Sequence, residues 1–170
     1  DAVRRVGINF GAPGDRQDDS GTLWVDYPNK GGDSPEIPMK VTAENPRYFR
    51  RHSSLLKGEG VNWVAGSGVE GATSVTLTVS ATEPKIPQSY TVRLHFAEPD
   101  NVQPGERVFD IALQGKPMAE SVDIARESGG NLVAMVREFK NIEAGRTLTV
   151  ELTPRTGRPV LSGIEIVATE

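Results

Sequence analysis

A period of two runs through most of the chain. Val6, Ile8 and Phe10 alternate with smaller or polar neighbours, Val75, Leu77 and Val79 flank Thr76 and Thr78, and Val92, Leu94 and Phe96 face away from Arg93 and His95. The spacing returns at Phe109, Ile111 and Leu113, at Leu148, Val150 and Leu152, and at Ile164 and Ile166 around Glu165. Alternation of this kind marks strands with one face in a core and one in water, which predicts a surface position for His95. Turn chemistry punctuates the strands at Gln114-Gly115-Lys116, at Ala144-Gly145-Arg146, and from Pro154 to Pro159 around Gly157. Strands joined so tightly are expected to pair antiparallel. The irregular segments are Gly11 to Gly21, Pro28 to Ser34, Asn45 to Gly60 and Pro99 to Gly105, with a single helical turn expected near Arg47 to Ser54. About ten short strands, each apolar on one face, predict an all-β fold of two packed antiparallel sheets, a β-sandwich.

Composition agrees with that picture and narrows the function. The 170 residues suit a single domain spanning 1–170, and 18 Gly with 12 Pro in a chain that is 36% hydrophobic are too punctuated for a helical bundle and too apolar for disorder. A net charge of −4 gives no general attraction to a phosphate backbone or an anionic membrane, so nucleic acid and lipid are not expected partners. The absence of cysteine excludes disulfide scaffolds, thiol catalysis and Cys-type zinc sites, and two distant histidines, His52 and His95, do not suggest a metal centre. No apolar run is long enough to span a bilayer. The opening Asp1-Ala2-Val3-Arg4 leads straight into a strand pattern, as expected of a domain within a longer protein.

Between Tyr90 and Ile124 the sequence carries a specific signature: Phe96-Ala97-Glu98 closing a strand, a loop, Arg107-Val108-Phe109-Asp110 opening the next, a hairpin Gly115, and Asp123-Ile124. With Ile8-Asn9-Phe10-Gly11, then Asp18, Gly21 and Trp24 near the start, and Pro159 to Ile166 at the end, this pattern resembles malectin and malectin-like carbohydrate-binding domains. The resemblance covers most of the chain and is loose between Pro28 and Gly71. It implies a jelly-roll-like, galactose-binding-like sandwich whose loops at one end hold an oligosaccharide. It further implies an extracytoplasmic protein, periplasmic, cell-surface or secreted, with neighbouring domains. Most matched residues have structural roles on physical grounds: Phe96, Phe109 and Ile111 point inward, while Glu98 and Asp110 lie beside Arg93 or Arg107 as ion-pairing or turn-capping groups.

The family's sugar-stacking Tyr-Phe pair after the Phe-Ala-Glu strand is replaced here by Asp100 and Asn101, and its early-loop aromatic falls near Arg51-His52. Animal-type diglucose specificity is therefore not expected, and a bacterial member is. In place of the lost rings stands an early cluster of Trp24, Tyr27, Tyr48, Phe49 and Trp63, whose faces suit the C–H face of a pyranose. Both tryptophans also read as core residues in strand-like stretches. The candidate ligand-binding set is Tyr48, Phe49, Arg51, His52, Asp100 and Asn101, bordered by Trp24 and Tyr27. No metal site or cofactor is expected, although Asp15, Asp18 and Asp19 offer oxygens for a structural calcium. Without a Ser-centred elbow, a triad histidine or a distinguishable carboxylate pair, the reading is a non-catalytic carbohydrate-binding module. The alternative is a structural or protein-interaction domain of a multidomain exported protein with no glycan ligand.

Overall fold

The structure, a computed structural model, describes residues 1–29 and 37–169. Thirteen strands are present among them: β1 Arg5–Phe10, β2 Arg16–Gln17, β3 Leu23–Tyr27, β4 Met39–Arg50, β5 Lys57–Gly58, β6 Ser67–Thr78, β7 Gln88–Phe96, β8 Val108–Leu113, β9 Lys116–Val122, β10 Val133–Ala144, β11 Thr147–Thr156, β12 Val160–Leu161 and β13 Gly163–Ala168. A 3-10 turn at Ser53–Leu55 and two short helices, α1 Asn62–Ala65 and α2 Ile124–Ser128, complete the set. The chain is an all-β sandwich, as the periodicity predicts. One sheet runs β2-β3-β1-β13-β7-β10-β5 and the other β12-β6-β11-β8-β9, with β4 also bonded along β6. No helix among the described residues is long and apolar enough to cross a membrane.

Leu94, Phe96, Phe109, Ile111, Leu148, Val150, Leu152, Ile164 and Ile166 all turn into the space between the sheets and are buried there. The Gln114-Gly115-Lys116 turn joins β8 to β9 as an antiparallel hairpin. The Ala144-Gly145-Arg146 turn does not: β10 bonds β7 and β5, whereas β11 bonds β6 and β8, so this turn carries the chain from one sheet to the other. Two pairings are parallel, β1 with β3 and β10 with β5, because the intervening segments return the chain to the same end of the sheet before it re-enters. The expected helical turn is displaced. Arg47 to Arg50 finish β4, the 3-10 turn starts only at Ser53, and Trp63 sits on α1 instead of a strand. Of the predicted irregular segment Pro28 to Ser34, residues 30–34 lie outside the described residues.

The larger correction concerns the face assumed to be wet. β1 is buried from Val6 to Phe10, and β13 from Gly163 to Ile166, because Trp24 and α1 cover the outer side of the first sheet. Period two survives, but its second face is a polar layer under a lid. The register places Gly7 beside both Trp24 and Glu165, and His95 beside Gly163. His95 is accordingly 4% exposed, its ring edge-on to Trp24 at 4.9 Å, and not on the surface. Gly7 and Gly163 make the space for the indole: a Cβ at position 7 would lie 2.3 Å from Trp24 Cδ2, and one at position 163 would lie 2.8 Å from Trp24 Cζ3. Gly7→Ala is therefore expected to cost about 1–3 kcal/mol through overpacking, read as a lowered urea midpoint. An unchanged midpoint would mean that Trp24 is free to move off the sheet.

Candidate functional site

The lid and the loops after β1 and β4 enclose a cleft of about 500 Å³. Its position follows from how three segments are tied. Gly11 takes a positive φ of 72°, which a side chain would strain, and a Cβ there would press 2.8 Å from the Phe49 carbonyl oxygen. That turn presents its carbonyl to Arg50, which donates from Nε and a terminal nitrogen at 3.1 and 2.9 Å. The end of β4 is anchored next, since the Arg51 amide donates to the Gly66 carbonyl at 2.6 Å. His52 then caps the 3-10 turn, its Nδ1 accepting from the Ser54 amide at 3.2 Å. Below the cleft, buried Asn9 donates from Nδ2 to the carbonyls of Val64 and Ser162, each at 3.0 Å, fixing α1 onto β1.

That anchoring sets Trp63. Its ring meets Trp24 edge-on, with centroids 6.4 Å apart at 83°, and the Arg16 guanidinium carbon lies 4.6 Å over it. Trp63 is half-buried, so one tryptophan packs the lid and the other faces the cleft. Asp15, Arg16, Arg50, Arg51 and His52 line the same space. Trp24 is 1% exposed and Phe49 4%, which makes both packing residues without surface for a ligand. Tyr48 is half-buried against Tyr27 with centroids 6.5 Å apart, and it lines a smaller adjoining hollow of about 310 Å³ that shares Arg50 with the cleft.

The loop after Glu98 does meet the early loops, through charge. Asp100 pairs with Arg47 and lies 3.4 Å from Arg51, while Asn101 is exposed and lines neither hollow. Glu98 pairs with Arg107 at 2.6 Å, in keeping with its expected structural role; Asp110 instead pairs with Arg155 at 2.7 Å and accepts from the Ser121 amide. Glu70 receives Arg47, Arg107 and Arg158, so the network bridges β4, β6 and both ends of the loop. Burial works against the charge on Glu70, but Arg47 and Arg107 outweigh it and hold the carboxyl below its ordinary range.

The early aspartates serve the loop itself. Asp18 accepts from the Ser20 amide and hydroxyl, the Thr22 amide and the Trp24 indole, and Asp15 accepts from the Asp26 amide. Sequence reasoning passes over Trp63 as a contact because its segment looks like a strand; its membership of the aromatic cluster was the available signal. Asp15 and Arg16 carry no such signal.

Under the lid, Glu165 is pulled two ways. Burial raises its pKa, yet Thr22 Oγ1 donates to it at 2.5 Å and Arg93 at 3.1 Å, and its pKa falls to about 2. His95 Nε2, 3.8 Å away, is too distant for a hydrogen bond. A depressed carboxyl stabilises the fold above its unfolded value near 4.5, and that stability drains away as pH falls toward 2. Glu165→Gln should flatten the stability profile over this window in chemical unfolding at stepped pH. A mutant curve parallel to the parent's would place the acid sensitivity elsewhere.

Comparison with known proteins fits this architecture. The Malectin domain family matches over residues 78–164. The chain is similar to Receptor-like protein 4 of Arabidopsis thaliana, 34% identical over 143 residues, covering 81% of this chain and 21% of that protein. It spans about a fifth of the length of the curated relatives it matches. Among solved structures it resembles a calcium-binding mutant of Bacteroides uniformis beta-glucuronidase 2, with a TM-score of 0.73 at 14% identity over 98% of this chain and 18% of that one. It also resembles a chain from the complex of plant peptide RALF23 with FER and LLG2, with a TM-score of 0.70 at 20% identity over 99% and 49%. Both structural likenesses speak to the fold alone. The curated relatives are plant proteins, so the expectation of a bacterial member finds no support in them.

Proposed function

This chain belongs to the malectin domain family, and from that membership and its cleft we propose that it is a non-catalytic module that binds carbohydrate against Trp63. The observation that carries the reading is a half-exposed indole, braced edge-on by a buried one, in a cleft of about 500 Å³ lined with hydrogen-bonding side chains. A ring held this way offers a pre-ordered apolar platform to a pyranose, and Asp15, Arg16 and Arg51 can satisfy hydroxyls at its rim. Arg51 and His52 keep the role given to them by the sequence; Trp63, Asp15 and Arg16 take the place of Trp24, Phe49 and Asn101. Tyr48, with Tyr27 packed against it, then extends the surface through the adjoining hollow. The receptor-like relatives support an extracytoplasmic setting, with this module as one domain of a longer protein.

The test is a glycan array on the chain, followed by calorimetry of Trp63→Ala on the best ligand. Losing the stacked ring should weaken binding about tenfold or more, by analogy with base stacking on aromatic platforms. Parent-like affinity in a folded variant would remove Trp63 from the site. A second reading has its own observation: Leu55, on the 3-10 turn next to the cleft, is 54% exposed, and an apolar knob of that size suits a protein surface. One fold neighbour comes from a complex containing a plant peptide. A blank array would favour that reading.

A further inference from the structure

A second hollow of about 380 Å³, lined by Asp18, Asp19, Gly60 and Val61, lies against Trp63 and Arg16 and shares both with the main cleft. The indole and the guanidinium above it therefore stand between two spaces, each within the size range of small-ligand sites. We propose that the ligand is an anionic oligosaccharide of at least two units lying across Trp63, its charged unit on the Arg16, Arg50 and Arg51 side and a neutral unit against Asp19. This deepens the carbohydrate reading and rests on it.

Charge decides the direction. Arg51 is balanced by Asp100 at 3.4 Å. Arg50 gives Nε and one terminal nitrogen to the Gly11 carbonyl and makes no ion pair among the described residues, so its charge is uncompensated there. Arg16 makes no side-chain hydrogen bond or ion pair among the described residues; its guanidinium rests on the Trp63 face with donors to spare. Against these two charges stands one carboxylate, Asp15, so this side of the cleft is positive on a chain whose net charge is −4. A cationic recess of low dielectric concentrates anions, and a guanidinium fork matches carboxylate or sulfate oxygens in pairs. On the far side Asp18 is committed to its own loop and Asp19 adds a second carboxylate, which accepts from hydroxyls and repels an anion. The two hollows thus select opposite chemistry on either side of one ring.

Calorimetry on the whole chain tests this with four probes: an oligouronide dimer, its carboxyl-reduced neutral counterpart, the uronic acid monomer, and a sulfated neutral dimer. The uronide dimer should bind about tenfold or more tighter than the reduced dimer, with the difference shrinking as salt rises toward about 0.3 M. It should also exceed the monomer by about tenfold. Arg16→Gln, which removes a side chain outside the core, should weaken the uronide dimer about tenfold more than the reduced dimer and so erase the preference between them. Tighter binding of the sulfated dimer, with the same dependence on Arg16, supports the proposal and names sulfate as the anion. Equal affinity for acidic and reduced dimers overturns the anionic ligand and leaves the carbohydrate reading standing. Equal affinity for monomer and dimer overturns the spanning of Trp63. No binding to any of the four, together with a blank array, overturns both the inference and the reading beneath it.

Discussion

Arg107→Met is expected to cost about 3–5 kcal/mol of stability, the usual penalty for removing one partner of a buried ion pair. Glu98 is 0% exposed and its carboxylate meets Arg107 at 2.6 Å through Nε and 3.4 Å through a terminal nitrogen. Its other donor among the described residues is the Asp100 amide at 3.1 Å, too little to hold a full charge out of water. Arg107 also reaches Glu70 at 3.0 Å and the Arg158 carbonyl at 2.6 Å, so the substitution unties β6, the loop after β7 and the turn before β12 together. Urea unfolding of the single mutant should show the loss. Arg107→Met combined with Glu98→Gln should recover part of it, because the stranded charge goes with its partner. A single-mutant loss under about 1 kcal/mol would mean that water reaches Glu98 and that the pair is not sealed.

This pair shows what kind of information the sequence holds. Glu98 and Arg107 flank one loop between two recognisable strands, so their proximity follows from local pattern, and their structural role is legible in the sequence. The core was readable for the same reason: Leu94, Phe109 and Ile164 lie on strands whose alternation is strict. The lid was not. Nothing in Val92 to Phe96 distinguishes a polar residue facing water from one facing a second layer, and His95 is buried only because Trp24, distant in sequence, crosses above it with the consent of Gly7 and Gly163. Trp63 was hidden by propensity. Val61-Asn62-Trp63-Val64 has strand composition, but α1 forms because Asn9 takes the Val64 carbonyl and Gly66 closes its turn onto the Asn62 carbonyl at 2.9 Å. Where the partner is non-local, the period survives and the assignment of faces fails.

The same non-local bonding makes Asn9 the point where fold and site meet, and Asn9→Ala is expected to cost about 2–4 kcal/mol. The residue is 1% exposed on β1, a position where a polar side chain has no reason to lie unless its hydrogen bonds are made inside. Its amide donates to Val64 and Ser162 at 3.0 Å and approaches the Ser67 carbonyl at 3.4 Å, contacts that span 55 to 153 residues of sequence. Truncation leaves buried carbonyls without donors and opens a small cavity beneath α1. Asn9→Asp keeps the shape and replaces the donor by a charge facing those carbonyl oxygens, so it should be at least as damaging at neutral pH. Stability loss alone would describe any buried asparagine, whereas the site predicts more. Because α1 carries Trp63, the surviving folded fraction should show readier quenching of tryptophan fluorescence by acrylamide, and ligand affinity should fall further than the folded fraction accounts for. If Asn9→Ala lowers stability while quenching and affinity per folded molecule stay at parent values, then Trp24 alone holds the indole in place, and the cleft is built from the lid inward instead of from β1 outward.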